Sequence, residues 1–216
     1  NAPSTVFIEY EPSGLYNAML SPCFNTAIRG AVWYQGESNA LGFAEYEELL
    51  CNMIKLWRSK FTYAAKQISG SGFPFVVMQL PNWANDTLPC AGPVFSDWAL
   101  LRETQYGAVT KTKNTAISVM IDAGEWNDLH PEKKLTGGTR TAEQALRLAY
   151  GKDYAKPAVI KSAELSKDKK YFTVKFNSEI DLTAYEAEGE NIDWEKTSKN
   201  VEGFGILVRG SVCTDD

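Results

Sequence analysis

The chain has 216 residues, of which 44% are hydrophobic, 12% aromatic and 23% charged, with six Trp. This size holds one large domain or a medium and a small one, and the balance excludes a disordered chain, a collagen-like chain and a disulfide miniprotein. With 27 acidic against 22 basic residues the net charge is −5 and no Lys/Arg cluster stands out, so no nucleic-acid partner is expected.

A membrane span needs about 20 apolar residues, and the apolar stretch from Phe73 to Leu80 is broken by Pro74 and Gln79, so no membrane partner is expected either. Four widely spaced cysteines without a CxxC pair, and a single His, supply too few ligands for a zinc site. The start Asn1-Ala2-Pro3-Ser4 has neither an initiator Met nor a signal-type apolar run, which gives the expectation of a piece of a longer protein.

In chain order, Leu15 to Phe24 reads as a helix interrupted by Pro22, and Gly30 to Tyr34 as an apolar strand ending in Gln35-Gly36. Phe43, Tyr46, Leu49, Leu50, Met53, Ile54 and Trp57 then recur at three- and four-residue spacing, the stripe of a helix packed on a sheet. Phe75 to Leu80 is a second strand, stopped by Pro81. Trp98, Leu101, Gln105 and Ala108 mark a second packed helix, and Ala116 to Ile121 a third strand ending at Asp122. Thr141-Ala142-Glu143-Gln144 resembles a capping box, predicting a helix with Ala142, Ala145, Leu146 and Ala149 inward and Gly151 as its stop. Near-continuous apolar strands alternating with helices predict an α/β layer fold around a parallel sheet over residues 1–155.

From Pro157 the pattern turns to β. Ala158 to Leu165, Lys170 to Asn177 and Gly203 to Arg209 read as strands, with Ser166-Lys167-Asp168-Lys169 as a hairpin turn and Gly189 to Asn200 as a polar loop. Residues 156–216 are therefore expected to form a small, incomplete β module.

Open α/β sheets bind ligands at the carboxyl ends of their strands. Two polar clusters fall there: Gln35-Gly36-Glu37-Ser38-Asn39 after the first strand, and Asp122 to Pro131 after the third. His130 is the only imidazole in the chain, so any histidine base must be this one, and Asp128 two residues earlier could fix its tautomer. The competing reading is an ordinary surface or core histidine. The Gln35 and Asn39 amides and the backbone N–H groups around Gly36 could stabilise an oxyanion, or the segment could simply open a helix. Ser38 is a weak nucleophile candidate because Gly-Glu-Ser-Asn is not a Gly-x-Ser-x-Gly elbow. Arg102 could orient a substrate oxygen or carboxylate, against a structural ion pair. Trp83 and Trp126 could line a sugar, whereas Trp33 belongs in the core.

The string Gly30-Ala31-Val32-Trp33-Tyr34-Gln35-Gly36-Glu37-Ser38-Asn39, preceded by Gly14-Leu15-Tyr16-Asn17-Ala18-Met19-Leu20 and followed by Asp128-Leu129-His130-Pro131, resembles the sialate O-acetylesterases, SGNH-type carbohydrate esterases. The resemblance runs from about Pro12 to Asp153. It implies a three-layer α/β/α (flavodoxin-like) fold and a serine esterase that removes O-acetyl groups from sialic acid without metal or organic cofactor.

Carried over, His130 is the general base, with Asp128 in an altered turn or a backbone carbonyl as its partner. Gln35, Gly36, Glu37 and Asn39 line the active site and its oxyanion hole. The partner implied is an O-acetylated sugar, in a secreted, periplasmic or lysosomal setting. The family's Gly-Gln-Ser-Asn nucleophile motif does not occur in the chain, so an upstream part of the same protein is the second implied partner, and the 216 residues alone are expected to be inactive. The aspartate usual three residues before the histidine is replaced by Asn127. Other readings are an acetyl xylan or other carbohydrate acetyl esterase, and a carbohydrate-binding piece without turnover.

Overall fold

A computed structural model of the chain describes residues 12–61, 72–83, 97–125, 128–132, 134–169 and 172–177. The main run of the chain divides into two compact units at Tyr154/Ala155.

The first unit is built on a three-stranded sheet, β1 (Ala31–Tyr34), β2 (Phe75–Met78) and β3 (Thr115–Ser118), in the order β1-β2-β3 with both pairings parallel. β1 ends at Tyr34 as read, whereas β2 and β3 stop two and three residues short of the ends of their apolar runs. Among the described residues three α-helices accompany the strands: α1 (Phe43–Lys60), α2 (Asp97–Lys111) and α3 (Lys134–Tyr150). Ahead of the sheet, the stretch read as one helix around Pro22 is a π turn at Tyr16–Leu20 followed by a 3-10 turn at Ser21–Asn25, with Pro at the start of the second.

Side chains alternate across a strand, so each strand feeds two layers. Phe75 and Val77 of β2 join Tyr46, Leu50 and Ile54 of α1 and Leu101 and Ala108 of α2 in one buried cluster. Ile54, Phe73, Phe75 and Leu101 are fully buried there, each contributing on the order of 1.5–3 kcal/mol through lost apolar exposure. Trp33 belongs to this side as expected, its ring edge-on to Trp57 at 5.8 Å.

Met78 and Ser118 project to the other layer, where α3 lies. The Thr141 hydroxyl is 3.1 Å from the Ser118 hydroxyl, and a side chain on Gly137 would run into the Met120 and Met78 methyl groups. Helices on both faces of a parallel sheet make the predicted three-layer α/β/α arrangement.

The capping-box reading at Thr141 is corrected. The helix begins at Lys134, Thr141 lies inside it, and the buried face is Gly137, Thr141 and Gln144, whereas Ala142 is exposed. Residues four and three apart share a face, and here the close approach to two methionines selects small and polar residues. Gly151 does end the helix, at φ +63°, a left-handed conformation that glycine adopts without strain.

At the amino-terminal rim Arg58 clips the strands together. Its guanidinium donates to the carbonyls of Phe73 (3.1 and 2.9 Å), Lys113 (2.8 Å) and Asn114 (2.9 Å), and burial lowers its pKa.

The second unit contains an antiparallel hairpin, β4 (Ile160–Leu165) and β5 (Phe172–Phe176), with an irregularity between Ile160 and Ser162. Its turn is the predicted one: the Lys169 amide donates to the Ser166 carbonyl at 2.9 Å and the Ser166 hydroxyl to Asp168 at 2.5 Å. The strand read at 203–209 and the loop read at 189–200 lie outside the described residues.

Candidate functional site

Both polar loops leave the carboxyl-terminal rim of the sheet. The first follows β1 and the second follows β3, with only β2 between them, so their roots stand two strand spacings apart, about 10 Å.

The β1 loop is tied into the interior. Gly36 is buried at φ +152°, and a Cβ there would lie 2.8 Å from Leu101 Cδ2 and 3.2 Å from Gln105 Nε2, so only glycine passes. Gln105, fully buried on α2, bridges two loops: its Nε2 donates to the Gln35 carbonyl at 3.0 Å, and its Oε1 accepts from the Leu80 amide at 2.9 Å. The Tyr46 hydroxyl takes the Trp33 indole N–H at 3.2 Å and sits 2.8 Å from the Gln35 carbonyl oxygen and 3.1 Å from its Oε1. Burial, and secondarily the Glu37 charge, raise the Tyr46 pKa, so the phenol stays a neutral donor.

The side-chain amide of Gln35 donates to Asn39 Oδ1 at 2.7 Å, which aligns the two candidate amides. The Gly36 amide donates to the Glu37 carboxylate at 2.8 Å, and the Asn39 amide to the Gly36 carbonyl at 2.8 Å. The backbone N–H groups of Gly36 and Asn39 are thus already engaged, as is one hydrogen of the Gln35 side-chain amide. Ser38 is exposed on the short turn Glu37–Gly42.

The β3 loop is held by carboxylates. Asp122 receives both arms of the Arg140 guanidinium, at 2.5 and 2.8 Å, and this hydrogen bonding lowers its pKa. Gly124 donates its amide to Asn82 Oδ1 at 2.7 Å, linking this loop to the segment after β2, and the Glu132 amide donates to Glu125 at 2.9 Å. Asp128 accepts the backbone amide of His130 at 2.7 Å, an Asx turn. That bond fixes the turn presenting His130. Among the described residues the imidazole itself takes no hydrogen bond and is exposed. Leu129 packs toward the core and Pro131 is buried, so the histidine is carried between two anchors. Trp126 and Asn127 lie outside the described residues.

Arg102 stands on α2 one turn before Gln105, beside the segment after β2. Its guanidinium is half-buried, 3.5 Å from the Pro81 carbonyl, and burial lowers its pKa. Among the described residues the ion pairs are Lys111–Glu47, Arg140–Asp122 and Lys175–Glu164, and none supplies Arg102 with a carboxylate. Trp83 leans on Trp98 at 5.0 Å, which places it against the core. The structuring roles of Gln105 and Tyr46 escaped the sequence reading. In sequence Gln105 reads as one more member of an apolar stripe, and a glutamine on such a stripe is the available signal.

The layered parallel sheet with its polar loops gathered at the carboxyl rim is the architecture of an SGNH-type α/β hydrolase. No protein-family model matches the chain. It is 31% identical to the sialate O-acetylesterase of Mus musculus over 144 residues, and 31% identical to that of Homo sapiens over 148 residues, 64% of this chain in each case. The crystal structure of a carbohydrate acetylesterase from Xanthomonas citri superposes with a TM-score of 0.59 at 34% identity, covering 70% of this chain and 33% of that one. The chain spans little more than a quarter of the length of the curated relatives. By sequence and by fold the chain is related to the sialate O-acetylesterases, within the SGNH-type carbohydrate esterases.

Proposed function

We propose that the chain is part of a carbohydrate O-acetylesterase acting on O-acetylated sialic acid, in a secreted, periplasmic or lysosomal setting. The first unit, about residues 1–155, bears the chemistry, and residues 156–216 form an accessory β module. The observation that carries this reading is the shared rim, where the only histidine and the Gln35/Asn39 amide pair emerge one strand apart.

In the proposed reaction a serine hydroxyl attacks the acetyl carbonyl while His130 Nε2 or Nδ1 takes its proton. The side-chain amides of Gln35 and Asn39 face the developing oxyanion. The imidazolium returns the proton to the departing sugar oxygen, and water, deprotonated by the same histidine, releases acetate. The serine comes from elsewhere in a longer protein, since Ser38 makes no contact with His130 among the described residues. Asp128 acts on His130 by holding its turn. Glu37 keeps the Gly36 amide occupied and the turn closed. Nothing in the proposed reaction calls for a metal or organic cofactor.

Arg102 favours an acidic sugar over a neutral one: a half-buried guanidinium with no carboxylate partner among the described residues gains most from a substrate carboxylate. The test is acetate release by the full-length protein from 9-O-acetylated sialic acid and from acetyl xylan. Sialate turnover that disappears in His130→Ala and survives in Ser38→Ala supports the reading. An Arg102→Gln change that raises KM for the sialate alone supports the acidic substrate. Turnover of xylan alone would move the assignment to a neutral-sugar acetylesterase, the broader class named for the Xanthomonas citri relative. Sugar binding without hydrolysis would leave a binding module.

A further inference from the structure

A cavity of about 220 Å³ opens at the carboxyl rim on the α3 side of the sheet, lined by Tyr34, Met78, Met120, Ala123, Pro131, Lys134, Gly137 and Gly138. Two of these residues adjoin the candidate site from opposite sides: Tyr34 immediately precedes Gln35, and Pro131 immediately follows His130. The cavity therefore lies against both loops at once. Its floor is two methionine side chains, deformable and apolar, which Gly137 lets close to the helix. Its mouth carries one cation, Lys134 Nζ, 5.6 Å from the centroid of the Tyr34 ring.

Ligand sites for whole small molecules occupy roughly 300–1,000 Å³. This cavity is smaller, and suits one substituent rather than a sugar, yet it offers more room than a methyl group fills. An apolar floor under a cationic mouth matches an aliphatic chain ending in a carbonyl or carboxylate.

Resting on the esterase reading above, we propose that this cavity is the acyl pocket, with the chain of the ester among Met78, Met120, Gly137 and Gly138 and its carbonyl end at the rim, toward His130 and the Gln35–Asn39 loop. It accepts acyl groups longer than acetyl, up to about butyryl. Gly138 provides the lever, since it lines the cavity and a Cβ there meets nothing within 4 Å, so a larger side chain is accepted at the cavity's edge without backbone strain.

The experiment compares hydrolysis of p-nitrophenyl acetate and p-nitrophenyl butyrate by the full-length protein and its Gly138→Leu and Gly138→Ala variants, with thermal unfolding of each. The wild type is expected to turn over both esters. Gly138→Leu should lower the butyrate-to-acetate ratio of kcat/KM by about 10-fold or more, the usual scale for removing room for a methylene or two, and Gly138→Ala much less. A folded Gly138→Leu protein with the wild-type ratio, or a wild type confined to acetate, overturns the pocket and leaves the esterase reading standing. A wild type that cleaves neither ester overturns the esterase reading and the pocket with it.

Discussion

The loops after β1 and β3 share a rim but are held by opposite means. Around Gly36 the bonds are mostly neutral and partly buried, running through Gln105, Tyr46, Trp33 and the Gln35 carbonyl, with the Glu37 carboxylate on the Gly36 amide as the charged member. Around His130 they run through carboxylates near solvent, Asp122, Glu125 and Asp128. Neutral buried bonds cost much to break and ignore salt and pH, whereas exposed charged ones are screened and titrate. The contrast suits a division of labour in which one loop is a fixed donor platform and the other carries a group that must change protonation.

Four measurements break or sharpen this contrast. The largest effect falls on activity without stability: His130→Ala should reduce turnover by about 100- to 10,000-fold, while an exposed side chain leaves the unfolding free energy within about 0.5 kcal/mol. Comparable loss of both would place His130 in the fold instead. Gly36→Val should do the reverse, destabilising by about 3 kcal/mol in denaturant unfolding, through its positive φ and the contact with Leu101. A stability like that of wild type would mean the turn is not rigid.

Gln105→Leu comes next, at about 2 kcal/mol, because the Leu80 amide loses its partner and the Gln35 carbonyl is left to the Tyr46 hydroxyl. The midpoint of chemical unfolding measures it, and no change would show that water replaces the amide. The smallest effect concerns pH. Asp122 has its pKa lowered in the folded chain by Arg140, so its contribution is present above the ordinary aspartate value of about 3.9 and is lost as pH falls through the lowered folded value. Asp122→Asn should flatten the acid limb of a stability–pH curve, whereas Gln105→Leu should shift the whole curve down without changing its slope. Equal slopes in wild type and Asp122→Asn would remove the charged character assigned to the β3 loop.

Much of the frame was legible in one dimension. Apolar runs of four to six residues named the strands, and the stripe Trp98, Leu101, Gln105, Ala108 named the buried face of α2 residue for residue. The hairpin turn at Ser166–Lys169 and the stop at Gly151 were readable because turn chemistry is local. The start of α3 was not. Thr141 followed by Glu and Gln mimics a cap, and only its contact with Ser118 across the sheet shows it to be an interior residue.

Sequence alone determined most of the elements, their order, and the presence of a unique histidine and a Gln-Gly-Glu-Ser-Asn loop, because periodicity and residue chemistry are properties of neighbours along the chain. Tertiary structure decided that the Gly36 and Asn39 amides are engaged, that Asp128 takes the His130 backbone, that Gln105 joins the loops after β1 and β2, and that a methionine-lined cavity lies between Tyr34 and Pro131. Those are relations among residues tens of positions apart. Their distances are set by the packing of helices on both faces of the sheet, and no local pattern encodes them.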